Sequence, residues 1–191
     1  MGTIVNLPNS LTLGRIVLIP VFIVVFYLPW GWAHFTAAII FALASFTDWL
    51  DGYLARKLHQ MSVFGAFLDP VADKLLVASS LLLLVSSNDI HYITLPAIVI
   101  VGREIVISAL REWMAELGRR ASVAVSYVGK IKTALQMVAI IILLAYQSIS
   151  SALGVLGVVL LYLSAILTIW SMVVYLQIAW IELTKKNDES C

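Results

Sequence analysis

Six apolar stretches dominate this sequence, and each is close to the roughly 20 residues that a helix needs to cross a bilayer. Apolar residues make up 62% of the 191 positions and charged residues only 12%, whereas a soluble domain of this size cannot hide so much hydrocarbon. The composition also excludes a disordered chain. We therefore predict an all-α integral membrane protein, a six-helix transmembrane bundle forming one domain over residues 1–191. The stretches lie near 14–30, 35–55, 70–86, 93–110, 132–147 and 153–178.

Basic residues occur near alternate connections only. The connections around 30–35, 87–92 and 147–152 contain no Lys or Arg. The positive-inside rule then predicts six crossings with both termini in the cytoplasm. The last stretch is too long for one upright crossing and too short for two, so it is predicted to be one tilted helix ending at the membrane interface.

Four of the eleven acidic residues fall between positions 48 and 73. Asp48 and Asp51 are spaced i, i+3, and Asp69 and Asp73 are spaced i, i+4, so each pair lies on one helical face. An ionisable residue near the bilayer centre costs at least about 2.5–3.5 kcal/mol and usually marks a functional site. We predict that the two helices are neighbours and that the four carboxylates face each other on the cytoplasmic side.

Four carboxylates in one small volume repel one another unless cations compensate them. Mg²⁺ prefers oxygen ligands and commonly bridges carboxylates to substrate phosphates, and two such ions can assist a displacement at phosphorus. Gly52 and Ala55 continue the acidic stripe with almost no side chain, so a ligand can lie close to that backbone. The alternative interpretation is a structural ionic cluster in which Arg56, Lys57 and Lys74 pair with the acids.

The acidic segments resemble the signature of the CDP-alcohol phosphatidyltransferase family. The sequence reads DWLDGYLAR at 48–56 and, after eight further residues, GAFLDPVAD at 65–73, with every defining position at the family's spacing. Three more segments, PNSLTLGR at 8–15, REIVISALREWMAE at 103–116 and VGKIKTALQ at 128–136, are similar to the bacterial members whose acceptor is glycerol 3-phosphate.

That resemblance implies transfer of a phosphatidyl group from CDP-diacylglycerol to sn-glycerol 3-phosphate, with release of CMP. It also implies Mg²⁺ or Mn²⁺, two ions in number, a homodimer, and the bacterial inner membrane with a cytoplasmic active site. By position, Asp73 is the expected catalytic base. The four aspartates Asp48, Asp51, Asp69 and Asp73 are the expected metal ligands, and the CDP-diacylglycerol site is expected to include Gly52, Ala55, Arg56, Gly65, Asn9 and Thr12.

A phosphorylated acceptor needs positive charge beyond the metals, and the fourth connection supplies it. Arg103 and Arg111 are separated by about 80° around a helix, and an arginine can grip a phosphate with two donors. Cytoplasmic basic residues are also what topology and anionic lipids require, so anchoring remains the alternative interpretation. Arg15 fits a phosphate site or membrane anchoring equally well. The expected acceptor site comprises Arg103, Arg111, Lys130, Lys132, Thr133 and Gln136.

Two other classes of membrane protein use buried acids. Intramembrane prenyltransferases hold a diphosphate with two aspartate-rich motifs, but they are usually longer and lack the pattern from Gly52 to Gly65. Ion transporters often contain internal repeats and broken helices, and neither is evident in this sequence. Within the phosphatidyltransferase family, the acidic motif reports only on the donor, so a different acceptor alcohol remains the main alternative.

Overall fold

Six long helices and one short 3₁₀ turn make up the computed structural model, which describes residues 7–57, 63–87, 91–116, 127–146 and 151–189. No strand occurs in these ranges, and each predicted apolar stretch coincides with a helix. The all-α prediction is therefore confirmed. The helices are α1 (Leu7–Phe26), α2 (Ala33–Lys57), α3 (Val63–Ser86), α4 (Thr94–Glu116), α5 (Tyr127–Ala145) and α6 (Ala152–Glu189), with the 3₁₀ turn at His91–Ile93.

The helix ends differ from the apolar stretches for local reasons. α1 ends at Phe26 rather than near 30, because Leu28 precedes Pro29 and a residue before proline avoids the helical conformation. α3 begins at Val63 rather than near 70, so Asp69 lies inside a helix. α6 continues to Glu189, because its polar end contains good helix formers and neither glycine nor proline.

The helices close a ring through their contacts, in the order α1, α2, α5, α6, α4 and back through α3 to α1. α3 also contacts α2 and α5 across the ring. The acidic helices α2 and α3 therefore do meet, as predicted. Each of them nevertheless packs much more extensively on α1 than on the other, so α1 takes a larger part in joining them than the sequence indicated.

Contacts between helices show that the chain runs up and down. The hydroxyl oxygen of Tyr27, just after the end of α1, lies 3.3 Å from Ser86 Oγ at the end of α3, whereas Arg15, in the middle of α1, contacts Asp48 in the second half of α2. The end of the bundle that contains Arg15 and Asp48 collects the described acidic motif residues and the basic residues of α4 and α5. We call it the polar end.

Polarity in this bundle is inverted relative to a soluble protein. The charged side chains of Arg15, Arg103 and Lys132 are only 1%, 8% and 4% exposed, whereas Leu82 and Trp170 are 65% and 68% exposed. A surface of large apolar side chains around buried charges suits a hydrocarbon solvent. The bundle is thus built for a membrane environment.

α6 carries the clearest membrane-spanning segment. Ala152–Gln177 contains 26 residues, and its most apolar 18-residue window has a mean hydropathy of 2.5; of the part of the chain that the structure describes, it alone is both long and apolar enough to cross a bilayer. The apolar parts of α1, α2 and α5 are shorter, at Ser10–Phe26, Ala33–Asp48 and Ile131–Ala145. Six crossings with cytoplasmic termini therefore remain a prediction.

α5 and α6 pack closely at the opposite end from the charges. A Cβ atom added to Gly157 would lie 2.9 Å from Leu143 Cγ and 3.1 Å from Ile142 Cγ2. The absence of a side chain at Gly157 therefore allows the two helices to approach.

The start of α6 is fixed by Ser151, whose hydroxyl accepts a hydrogen bond of 3.0 Å from the Gly154 amide as a helix cap.

Candidate active site

Two groups of charged side chains share the polar end. The acidic corner consists of Asp48 on α2 with Asp69 and Asp73 on α3. The basic corner consists of Arg103 and Arg111 on α4 with Lys132 on α5. Each corner is contacted by a further helix, α1 for the acids and α6 for the bases.

α1 fixes the orientation of Asp69 through a hydroxyl group. Thr12 is 2% exposed, and its Oγ1 donates a hydrogen bond of 2.6 Å to Asp69 Oδ1. A hydrogen bond to a charged group contributes about 1.5–3 kcal/mol. Thr12 therefore holds one carboxylate oxygen of Asp69 in a defined direction.

α1 also places a positive charge on Asp48. The Arg15 guanidinium is buried and its NH1 forms an ion pair with Asp48 Oδ1, while the Asp48 side chain is 37% exposed. This internal ion pair is a contact that neither sequence interpretation of Arg15, as part of a phosphate site or as a membrane anchor, includes. Arg15 compensates an acid of the predicted metal set from inside the bundle.

Asp73 lies within reach of several charges. Asp48 and Glu104 act on it with like charge, and Arg15 and Lys74 act on it with opposite charge. Asp48 on α2 and Asp73 on α3 are therefore near enough to repel each other. The motif spacing predicts this proximity of acids from the two helices.

Carboxylates of this kind suit a divalent cation. Asp48, Asp69 and Asp73 offer hard oxygen donors from two helices, and a divalent ion relieves the repulsion between Asp48 and Asp73. Among the described side chains, no three acids, histidines or cysteines form a ready-made ligand group. The side chain of Asp51, the fourth predicted ligand, lies outside the described residues, so the complete set remains a prediction.

Arg103 is a buried cation of the basic corner. Its NH1 donates to Glu104 Oε1 at 2.7 Å and its NH2 donates to Ser171 Oγ on α6 at 3.3 Å. Its Nε is buried and, within the described residues, has no hydrogen-bond partner. A buried donor without a partner is costly, so Arg103 retains capacity for a ligand.

Arg111 is exposed at the end of the same face. Its NH2 donates a hydrogen bond of 3.2 Å to the hydroxyl of Tyr175 on α6. The ring of Tyr175 lies under both arginines, with the Cζ atoms of Arg111 and Arg103 at 5.3 and 6.0 Å from its centroid. The two arginines that the sequence separates by two helical turns therefore meet on one aromatic side chain.

α5 completes the basic corner. Lys132 and Gln136 are 4% and 5% exposed, and the charges that act on Lys132 are Arg103, Glu104 and Arg111. Thr133, by contrast, is exposed and donates to the Gly129 carbonyl at 3.1 Å. The structure thus brings Lys132 and Gln136 inward and leaves Thr133 on an outer face, because a residue one step along the helix is rotated by about 100°.

Glu104 joins the two corners. It accepts a hydrogen bond from Arg103 and acts electrostatically on both Asp73 and Lys132. Glu104 therefore interacts with charged groups of both corners. Of the other candidates, Gly65 is buried in α3, while the side chains of Asn9, Gly52, Ala55, Arg56 and Lys130 lie outside the described residues.

The sequence interpretation missed the α6 contribution. Ser164, Thr168, Ser171 and Tyr175 recur at intervals of four, three and four residues along an apolar helix, and the first two are almost completely buried. Polar residues at helical spacing form one stripe. That stripe was the available signal for a helix face turned towards other polar groups.

Known proteins match nearly the whole chain. The family described as CDP-alcohol phosphatidyltransferase matches residues 5–170. Relatives from Salmonella typhimurium and from Escherichia coli strain K12 are each 53% identical over 174 residues, which is 91% of this chain and 94% of theirs. Both relatives bear the name CDP-diacylglycerol–glycerol-3-phosphate 3-phosphatidyltransferase.

Proposed function

This chain belongs to the CDP-alcohol phosphatidyltransferase family, and from that premise we propose that it transfers the phosphatidyl group of CDP-diacylglycerol to sn-glycerol 3-phosphate. The products are phosphatidylglycerophosphate and CMP. The observation that carries the proposal is that Glu104 interacts with Asp73 of the acidic corner and with Arg103 and Lys132 of the basic corner, which supports one site that offers both acids and cations.

The acidic corner would bind the donor's diphosphate through divalent ions, which members of this family use. The proposed ligands are Asp48, Asp51, Asp69 and Asp73, and the ions, Mg²⁺ or Mn²⁺, would neutralise the diphosphate and stabilise the leaving CMP. Thr12 and Arg15 support this role from α1, because each fixes one carboxylate. We further propose that Asn9, Gly52, Ala55, Arg56 and Gly65 line the cytidine and diphosphate site.

The reaction forms one bond to phosphorus and breaks another. The 1-hydroxyl oxygen of glycerol 3-phosphate attacks the phosphorus that carries diacylglycerol, and the bond from that phosphorus to the CMP oxygen breaks. Asp73 takes the hydroxyl proton, which makes it the general base. The assignment follows the family resemblance, and the acids Asp48 and Glu104 both interact electrostatically with Asp73.

The basic corner would hold the phosphate end of the acceptor. Arg103, Arg111 and Lys132 carry three positive charges against the one negative charge of Glu104. A phosphate monoester carries a charge of about −1.5 to −2 near neutral pH, so its charge matches the net positive charge of the basic corner. Gln136 adds a neutral donor beside Lys132, and Lys130 is proposed from the family resemblance alone.

The site would face the cytoplasm of a bacterial inner membrane, because the basic residues cluster at this end. The donor's acyl chains would then extend along the apolar surface of the bundle. A homodimer is proposed on the family resemblance.

A labelled-product assay tests the proposed function. Purified protein in vesicles receives CDP-diacylglycerol, Mg²⁺ and radiolabelled glycerol 3-phosphate, and we expect labelled lipid and CMP in equal amounts. Serine and inositol phosphate, offered in parallel, should give no lipid product. If one of those compounds, but not glycerol 3-phosphate, gave a lipid product, the proposed acceptor would be wrong. If no acceptor led to release of CMP, the proposed transfer reaction itself would be wrong.

A further inference from the structure

α6 contributes two polar side chains to the basic corner at adjacent turns. Ser171 accepts a hydrogen bond from Arg103, and Tyr175 accepts one from Arg111. Residues four apart lie on one helical face. One face of α6 therefore determines where both guanidinium groups lie.

Tyr175 contacts both arginines through its ring. The guanidinium carbons lie 5.3 and 6.0 Å from the ring centroid, within the roughly 6 Å range of a cation–π interaction. Two guanidinium groups repel each other when brought together, and the negative face of an aromatic ring reduces that repulsion without neutralising either charge. A carboxylate at this position would instead have cancelled one of the charges.

The arginines consequently retain their capacity for an anion. Glu104 engages one nitrogen of Arg103, while Arg103 Nε is buried without a partner in the described chain. The side chain as a whole is only 8% exposed, so bulk water does not readily satisfy that donor. A phosphate oxygen arriving between Arg103 and Lys132 would satisfy it.

We propose that Tyr175 is a positioning residue for the acceptor's phosphate group, an inference that rests on the proposed function. Tyr175 holds Arg103 and Arg111 at the separation needed for one phosphate dianion, through its ring and its hydroxyl together. Its contacts in the basic corner are with the two arginines. Its effect is therefore on the binding of the phosphorylated acceptor rather than on the chemical step.

Two substitutions separate the ring from the hydroxyl. Tyr175→Phe keeps the ring and removes the acceptor of the Arg111 hydrogen bond, so KM for glycerol 3-phosphate should rise about threefold to tenfold. Tyr175→Leu removes both interactions, and the same KM should rise about tenfold to a hundredfold. We expect kcat and KM for CDP-diacylglycerol to stay within about twofold, as for a loss of ground-state binding.

Tyr162→Phe is the matched control. Tyr162 lies on the same helix at the opposite end of the bundle, where its hydroxyl donates to the Tyr92 carbonyl at 2.8 Å. This variant should leave both KM values unchanged. Inorganic phosphate, used as a competitive inhibitor, gives a second measurement, because its inhibition constant should rise with KM in the Tyr175 variants only.

The outcomes separate this inference from the proposed function. If the wild-type protein makes labelled lipid but Tyr175→Leu lowers only the thermal unfolding midpoint, with KM and phosphate inhibition unchanged, Tyr175 is a packing residue and the inference is wrong. Equal rises in KM for both substrates would also overturn it. A wild-type protein that makes no labelled lipid refutes the proposed function itself.

Discussion

The acidic and the basic corner lie at the same end of the bundle, and each is supported by a helix that carries none of its motif. α1 supports the acids with a hydroxyl from Thr12 and a full positive charge from Arg15. α6 supports the bases with Ser171 and Tyr175, which are neutral. α1 thus adds a compensating charge to the acids, whereas α6 adds none to the bases, whose counter-charge, Glu104, lies on α4 itself.

This difference corresponds to what each corner is proposed to bind. The acids are proposed to bind divalent cations, so an internal cation on Asp48 would limit repulsion between the carboxylates before the ions bind. The acceptor is a small anion whose binding depends on charge that the protein has not neutralised. The charge that α1 supplies therefore suits a site for divalent cations. The neutral side chains of α6 suit a site for the phosphorylated acceptor, because they position the arginines without neutralising them.

Asp73→Asn should have the largest effect on activity. It removes the proposed base while keeping the side-chain shape, so kcat should fall by about 10²–10⁴-fold. Binding of CMP, measured by calorimetry with Mg²⁺ present, should change little. Glu116→Gln, at an exposed position at the end of α4, is the control, and a kcat of Asp73→Asn near the wild-type value would remove Asp73 from the chemistry.

Arg103→Ala tests the basic corner. KM for glycerol 3-phosphate should rise about tenfold to a hundredfold, because a buried, charge-assisted donor is lost, while KM for CDP-diacylglycerol should change much less. Arg111→Ala provides the comparison. Arg111 is exposed, so its loss should raise the same KM only about threefold to tenfold, and equal effects on both substrates in either variant would contradict the assignment.

Much of the acidic corner could be predicted from the sequence, because local spacing puts Asp69 and Asp73 on one face of α3. The partners on α1 and α6 depend on how distant helices pack. Arg15 is 33 residues from Asp48, and Arg111 is 64 residues from Tyr175, so no local pattern connects them. A buried arginine next to the membrane interface is indistinguishable in sequence from an anchor.

Hydropathy alone also gave an incomplete prediction of where the helices begin and end. The apolar stretches located all six helices, but they missed the turns that extend α3 backwards to Val63 and α6 onwards to Glu189. The α6 extension is polar and continues through residues such as Glu182, Lys185 and Lys186, which favour helix, whereas the α3 extension at 63–69 is mostly apolar and is separated from the rest of its stretch by Asp69 and Pro70. Asp69 therefore lies about one and a half turns inside α3 rather than at its start.

Arg15→Met tests whether the charge from α1 matters for the acids. Removing one partner of a buried pair typically costs about 3–5 kcal/mol, and the partial exposure of Asp48 reduces the expected loss to about 1–3 kcal/mol. The thermal unfolding midpoint without divalent ions should therefore fall. Because a divalent ion can replace the missing charge, saturating Mg²⁺ should restore part of the loss, and Arg15→Lys should lose less than Arg15→Met. The same loss with and without Mg²⁺ would give Arg15 a purely structural role.

Gly157→Ala should have the smallest effect on catalysis while still reducing stability. The added methyl group would lie 2.9 Å from Leu143 Cγ, and overpacking of this kind costs about 1–3 kcal/mol. Gly102→Ala is the matched control on α4, where an added Cβ meets no atom within 4 Å and alanine is the better helix former. The unfolding midpoint should fall for the first variant and hold or rise for the second. Since the α5–α6 contact lies away from the polar end, both KM values should stay unchanged in Gly157→Ala. A change in only the glycerol 3-phosphate KM would show instead that the position of α6 at Gly157 is transmitted along the helix to Tyr175.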